Sequence, residues 1–241
     1  MLELKHIHKY YNAGTVNEMC LFQDFNLSIE DHQFVSVVGS NGSGKTSMLN
    51  IICGTIPVDK GQILVNGEDI TRQKDFIRHR RIGRVFQDPS KGTCPNMTIL
   101  ENLAIADNKG KGYGFGRGTN KSRIDAYREM LSGVNLGLED KLHTKVGAMS
   151  GGQRQTLALL MATMNPIEFL ILDEHTAALD PKTAELVMEL TDKIVKEKHV
   201  TTVMVTHNLR YAVEYGNRLL MMHQGKAIID KAGEEKQRMQ V

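Results

Sequence analysis

Short apolar runs alternate with helical periods along the chain. Residues 34–38 (FVSVV) form a β-branched apolar run that ends in glycine-rich punctuation, and a helical stretch follows from about Lys45. Residues 62–65, 82–86 and 200–205 are further short strand candidates. Residues 169–172 (FLIL) are apolar at every position, as expected of a strand buried on both faces. Residues 218–222 and 227–229 predict a closing hairpin with Gln224-Gly225 at its turn. Strands separated by helices predict an α/β fold with a mainly parallel sheet. Hairpin-like pieces near the start and in the last quarter add antiparallel structure. Between Asp88 and Met164 the patterns are helical, as in residues 99–106 and 123–131. The expected organisation is therefore a single domain over 1–241. Its core comes from 1–87 and 165–241 with antiparallel β pieces, and a helical subdomain covers 88–164.

Composition narrows the class. Of 241 residues, 41% are hydrophobic and 24% charged, a globular balance that excludes global disorder. Aromatics are only 5%, with no tryptophan, which weakens any base-stacking reader of nucleic acid. Thirty basic against 28 acidic residues give a net charge of +2, so no nucleic-acid partner is expected. No apolar run approaches the ~20 residues that span a bilayer. The opening MLELKHIHKYY lacks the apolar core of a signal peptide. Cys20, Cys53 and Cys94 are odd in number and widely spaced, which reads as reduced thiols in a cytosolic chain. The basic, glycine-rich segment 109–123 reads as a surface loop between helices, and the polar tail 231–241 as a fraying end.

Three features carry chemistry. Gly39, Ser40, Asn41, Gly42, Ser43, Gly44, Lys45 and Thr46 fit G-x-x-x-x-G-K-[ST] between a strand and a helix. Glycines let the backbone wrap a phosphate with its N–H groups, and the helix start adds a positive dipole end. Lys45 supplies a mobile charge for the β- and γ-phosphates, and Thr46 offers a hydroxyl to Mg²⁺. Next, the strand 169–172 runs directly into Asp173 and Glu174, at the strand end where open α/β sheets bind ligands. Asp173 is placed to hold Mg²⁺ and Glu174 to polarise an attacking water. Finally, Ser150 caps a helical stretch whose first residues, Gly151, Gly152 and Gln153, bare the backbone as a second anion site. Two phosphate-binding helix ends in one chain suggest head-to-tail pairing of two copies, each closing the other's cradle.

With these motifs in order, the chain resembles the ATP-binding subunit of an ABC transporter over essentially its whole length. Residues 39–46 match the Walker A motif and 169–174 match Walker B with the catalytic glutamate. Residues 149–153 match the signature LSGGQ, with Met149 in place of leucine, a volume-conserving swap. Gln87 resembles the Q-loop glutamine, residues 177–180 the D-loop with Asp180, and His207 the switch histidine. Tyr11 stands where the family stacks an aromatic on adenine, with Tyr10 as the alternative and Val16 beside the base. One departure is His175, where many relatives have proline; it reads as a surface turn residue. Residues 173–177 and 82–87 are similar to a bacterial subgroup linked to tryptophan or tyrosine uptake, whose permease works with a surface-anchored lipoprotein.

The resemblance implies a P-loop NTPase fold with a RecA-like core, an antiparallel β subdomain and a helical subdomain. It implies ATP bound by Tyr11, Val16 and residues 40–47 through Ser47, with Mg²⁺ held by Thr46, Gln87 and Asp173. Glu174, His207 and Gln87 would serve hydrolysis, and Ser150, Gly151, Gly152, Gln153 and Asp180 would act from the second copy. The implied partners are an identical subunit in the ATP-bound state, integral membrane permease subunits and an extracytoplasmic substrate-binding protein. The implied place is the cytoplasmic face of the cell membrane. Import of a solute, such as an amino acid, is the expected work. The alternative is mechanical work on a membrane complex without transport.

Overall fold

The computed structural model describes residues 1–112, 118–119 and 121–239. The surface-loop reading of 109–123 therefore falls partly outside the described residues, as do the last two residues of the tail. Among the described residues ten strands and eight α-helices follow one another: β1 Leu2–Tyr11, β2 Met19–Ile29, β3 Phe34–Gly39, α1 Lys45–Cys53, β4 Lys60–Val65, β5 Glu68–Asp69, α2 Asp75–Arg78 and β6 Ile82–Val85. Then come α3 Ile99–Asp107, α4 Ile124–Ser132, α5 Gly151–Thr163, β7 Phe169–Asp173, α6 Pro181–Lys198, β8 Thr201–Val205, α7 Leu209–Glu214, β9 Arg218–His223, β10 Lys226–Ala232 and α8 Glu234–Gln237.

Two sheets form. One is antiparallel, in the order β2-β1-β4-β5; the other runs β10-β9-β3-β8-β7-β6. In the second sheet the pairs β9-β3, β3-β8, β8-β7 and β7-β6 are parallel, and β10 closes it as an antiparallel hairpin. The strand candidates and the closing hairpin are all present. Residues 169–172 of β7 are apolar and buried because both faces of the parallel sheet are covered. One apolar cluster joins α1 (Met48, Ile52) to β1 and β2 (Ile7, Phe22) and to one face of the core (Ile82, Phe169, Ile171). The other cluster joins the opposite face (Val85, Leu170, Leu172) to α3, α4, α5 and α6. Between residues 88 and 164 the regular elements among the described residues are helical, apart from one isolated bridge between Thr98 and Lys145.

The helix caps have side-chain causes. Thr98 and Glu101 form a reciprocal capping box at α3, and Asp180 accepts from Thr183 N–H at α6. The end of α1 is served by a residue no local pattern announces. Arg78 is 3% exposed and donates Nη1 to the carbonyls of Ile51 (2.8 Å) and Ile52 (3.1 Å), and Nη2 to Thr71 O (2.8 Å). A cation on the last carbonyls of a helix satisfies groups that the helix itself cannot. Replacing Arg78 by Ala should destabilise the fold by about 3 kcal/mol, because charged hydrogen bonds are lost and buried carbonyls are left bare. The midpoint of urea unfolding reads this directly; an unchanged midpoint would refute the capping role.

The tail departs from the fraying expectation through residue 239. Strand β10 runs to Ala232, and the Lys236 side chain, 2% exposed, donates to the carbonyls of Tyr215 and Gly216 at the end of α7. These bonds and the apolar contact of Met239 hold the segment against the core.

Candidate functional site

Gly39 ends β3 at φ 149°, where a Cβ would lie 2.2 Å from Met222 O, so only glycine fits between the neighbouring strand and the loop. The loop that follows turns through Gly42 (φ 78°) and Gly44 (φ 103°), and α1 begins at Lys45. Lys45 Nζ donates to Gly39 O (2.7 Å) and Ser40 O (3.0 Å), so the loop is wrapped around its own cation. Burial lowers the ammonium pKa, while the nearby Glu174 and Asp173 charges oppose that shift. The far end of the chain braces the loop. Gly225, at the turn between β9 and β10, donates its N–H to Ser43 O (3.0 Å), and a Cβ there would lie 1.7 Å from Leu21 O.

A cleft of about 200 Å³ opens over this loop, lined by Asn41 to Ser47, Tyr11, Met19, Leu21 and Glu174. The Tyr11 hydroxyl lies 3.1 Å from Ser47 Oγ. Val16 is fully exposed and does not line the cleft. The register explains it. Tyr11 pairs with Met19 across β1 and β2, so Met19 flanks Tyr11 while Val16 sits in the turn beyond the sheet. Sequence reading did not single out Met19 or Leu21.

Glu174 has φ 50°, a left-handed conformation uncommon outside glycine and often found at functional sites. Its N–H donates to Val205 O (2.9 Å), which ties it to the end of β8. Its carboxylate meets His207 Nε2 at 2.7 Å. Parallel strands β7 and β8 thus deliver an acid and a histidine to one edge of the cleft. Asp173, the last residue of β7, pairs with Arg84 Nη2 at 3.0 Å through Oδ2. A hard cation of the Mg²⁺ type takes few protein oxygens and keeps waters and phosphate oxygens. The exposed Thr46 and the second Asp173 oxygen fit that role. Gln87 is exposed just after β6 and does not line the cleft.

Ser150 caps α5 with a capping box: Gln153 N–H donates to Ser150 Oγ (3.3 Å), and Ser150 N–H donates to Gln153 Oε1 (3.2 Å). Gly152 is pressed on α6, where a Cβ would lie 2.1 Å from Thr183 Cγ2. None of residues 150–153 lines the cleft over the loop. Ser150, Gly152 and Gln153 instead border a separate cavity of about 470 Å³ against α6. Asp180 sits at the start of α6, and hydrogen bonds from Thr183 hold its carboxyl below the usual range. Gln155, also on α5 and 1% exposed, donates to Phe86 O (2.9 Å) just before Gln87. It ties the Ser-Gly-Gly-Gln helix to the Gln87 segment, and sequence reading missed it.

His175 corrects an expectation. It is 2% exposed, not a surface turn residue. Thr191 donates its hydroxyl to Val187 O (2.7 Å), so His175 Nε2–H donates to Thr191 Oγ1 (3.2 Å). The turn after Glu174 is thereby pinned to α6. Burial pushes the imidazole pKa down from 6.5 to about 4. The unfolded chain takes up this proton near pH 6.5 and the folded one only near 4, so the contribution to stability is complete above 6.5 and is lost as pH falls through that window. Between pH 7.5 and 4.5 the wild type should lose about 2 to 3 kcal/mol more than His175→Asn in urea unfolding. Parallel losses in both proteins would contradict this.

The comparisons run the length of the chain. A sequence model of the family described as "ABC transporter" matches residues 22–177. The chain is 45% identical over 241 residues to the tyrosine transport ATP-binding protein of Clostridioides difficile (strain R20291), covering 100% of this chain and 96% of that one. It is 32% identical to the spermidine/putrescine import ATP-binding protein PotA of Haemophilus influenzae, covering 98% of this chain but only 59% of that longer protein. Among solved structures, the dimeric post-hydrolysis state of the ATP-binding cassette MJ0796 bound to ADP and Pi superposes with a TM-score of 0.81 at 31% identity, covering 96% of this chain and 98% of that one. The family model, the full-length relative and the solved cassette agree: the protein belongs to the ABC transporter family, as a subunit that binds and hydrolyses ATP.

Proposed function

We propose that the chain energises amino-acid import, with tyrosine as the leading substrate, by hydrolysing ATP at a seam between two identical copies. The observation that carries the reading is the 45% identity, end to end, with a tyrosine transport ATP-binding protein. Tyr11 stacks on the base, and Lys45 exchanges the carbonyls of Gly39 and Ser40 for the β- and γ-phosphates. Thr46 and Asp173, with Gln87, hold Mg²⁺, which neutralises charge on the phosphates when bound. Ser150 and the N–H groups of Gly151 and Gly152 from the second copy close over the γ-phosphate, and Asp180 bridges between the copies. Helix ends and Lys45 stabilise the developing charge. Glu174 takes the proton of the attacking water, and His207 keeps its carboxylate aligned.

Among the described residues no helix is long and apolar enough to cross a membrane. In this reading integral permease subunits carry the solute, an extracytoplasmic binding protein delivers it, and this chain works at the cytoplasmic face. Two measurements test the reading. A tagged chain extracted in mild detergent should bring down a polytopic permease, and deleting its gene should abolish uptake of labelled tyrosine at low external concentration. Unimpaired tyrosine uptake with the permease still co-purifying would refute the substrate and spare the importer. Recovery of only a non-transporting membrane complex would refute both.

A further inference from the structure

Asp173 already has a cation. Arg84 Nη2 donates to its Oδ2 at 3.0 Å, with the two side chains 7% and 14% exposed. Arg84 lies on β6 and Asp173 ends β7, two parallel strands whose register pairs Arg84 with Ile171 and Val85 with Leu172. The guanidinium is fixed from a second side by the Phe86 ring, 4.6 Å away. Its Nε is buried with no hydrogen-bond partner among the described residues, and the buried Cys53 thiol lies beside the guanidinium as a further neighbour. Around the phosphate loop and the ends of β6, β7 and β8, Lys45 and Arg84 stand against Asp173 and Glu174, with His207 on Glu174. With Arg84 the two cations and two carboxylates balance; without it negative charge is in excess.

We propose that Arg84 is a positioning residue and internal counter-ion for Asp173, which keeps the nucleotide-free cleft from taking up a divalent cation alone and leaves the other carboxylate oxygen open for the metal that arrives with nucleotide. The inference rests on the reading of Asp173 as a metal ligand. A carboxylate this buried is costly to leave without a partner charge. Remove Arg84 and the carboxylate recruits the next available cation. A fixed unit charge a few ångströms from a divalent ion changes its affinity by about tenfold or more, even at an effective dielectric near 20.

The test is direct binding of Mn²⁺ to the nucleotide-free protein, followed by electron paramagnetic resonance. Arg84→Met should bind Mn²⁺ about tenfold or more tightly than wild type. Arg84→Lys, which restores the charge, should return to the wild-type affinity, and Asp173→Asn added to Arg84→Met should erase the gain. A thermal melt of each variant confirms that folded protein is compared. Equal Mn²⁺ affinity in wild type and a folded Arg84→Met would overturn the role of Arg84. A gain that survives Asp173→Asn would overturn the reading of Asp173 instead. Mn²⁺ uptake with a non-hydrolysable ATP analogue separates the two: Asp173→Asn should weaken it in either background, whatever Arg84 does.

Discussion

Glu174→Gln should cut ATP turnover by roughly 10²-fold or more while leaving nucleotide binding intact, the usual scale for a lost general base. The substitution is nearly isosteric. It keeps the left-handed backbone at φ 50° and the N–H bond to Val205 O, so the end of β7 has no reason to move. An amide still meets His207 across the 2.7 Å contact but cannot take a proton from water. ATP should therefore persist at the site and hold two copies together. Equilibrium binding of a fluorescent ATP analogue, steady-state phosphate release and size-exclusion chromatography with ATP measure the three parts. Wild-type hydrolysis by this variant would remove Glu174 from the chemistry.

The second large effect concerns Ser150. An arginine at this helix cap should abolish hydrolysis yet leave ATP binding to a single copy unchanged, because residues 150–153 do not line the chain's own cleft. The lost cap itself costs only about 1 kcal/mol, too little to unfold the domain. The decisive form mixes two dead proteins. Lys45→Ala lacks a working cradle, and Ser150→Arg lacks a working closing helix. In a head-to-tail pair of one of each, one composite site is intact. Random mixing should restore roughly a quarter of the wild-type rate, half the pairs each with one good site, if the sites act independently. Full turnover by strictly monomeric protein would exclude a shared site, and an inactive mixture would exclude shared sites that act independently.

What could be read from the sequence divides by range along the chain. The phosphate loop was legible because its glycines, lysine and threonine act on one another within eight residues, and the backbone there admits few alternatives. The apolar β7 and the acids after it were legible for the same reason. Ser150 announces itself as a cap by standing directly before a helical stretch. Arg84, Arg78, Gln155 and His175 were not legible. Arg84 finds its carboxylate 89 residues away, Gln155 its carbonyl 69 away and Arg78 its helix end 26 and 27 away. No periodicity encodes such meetings; only the order of strands in the sheet creates them. Where the chain turns between β1 and β2 was not legible either: Met19 rather than Val16 lines the cleft, and β1 and β2 carry several register shifts.

The brace at Gly225 has a consequence for anyone trimming this protein. Each named motif lies before Asn208, and the family's sequence model stops at residue 177. A fragment cut between α7 and β9 would keep them all and lose the hairpin tip that supports Ser43 and Leu21. Grip on the triphosphate is thus owned jointly by the two ends of the polypeptide, and shortened versions would sort as motif-complete but unable to hold their fuel.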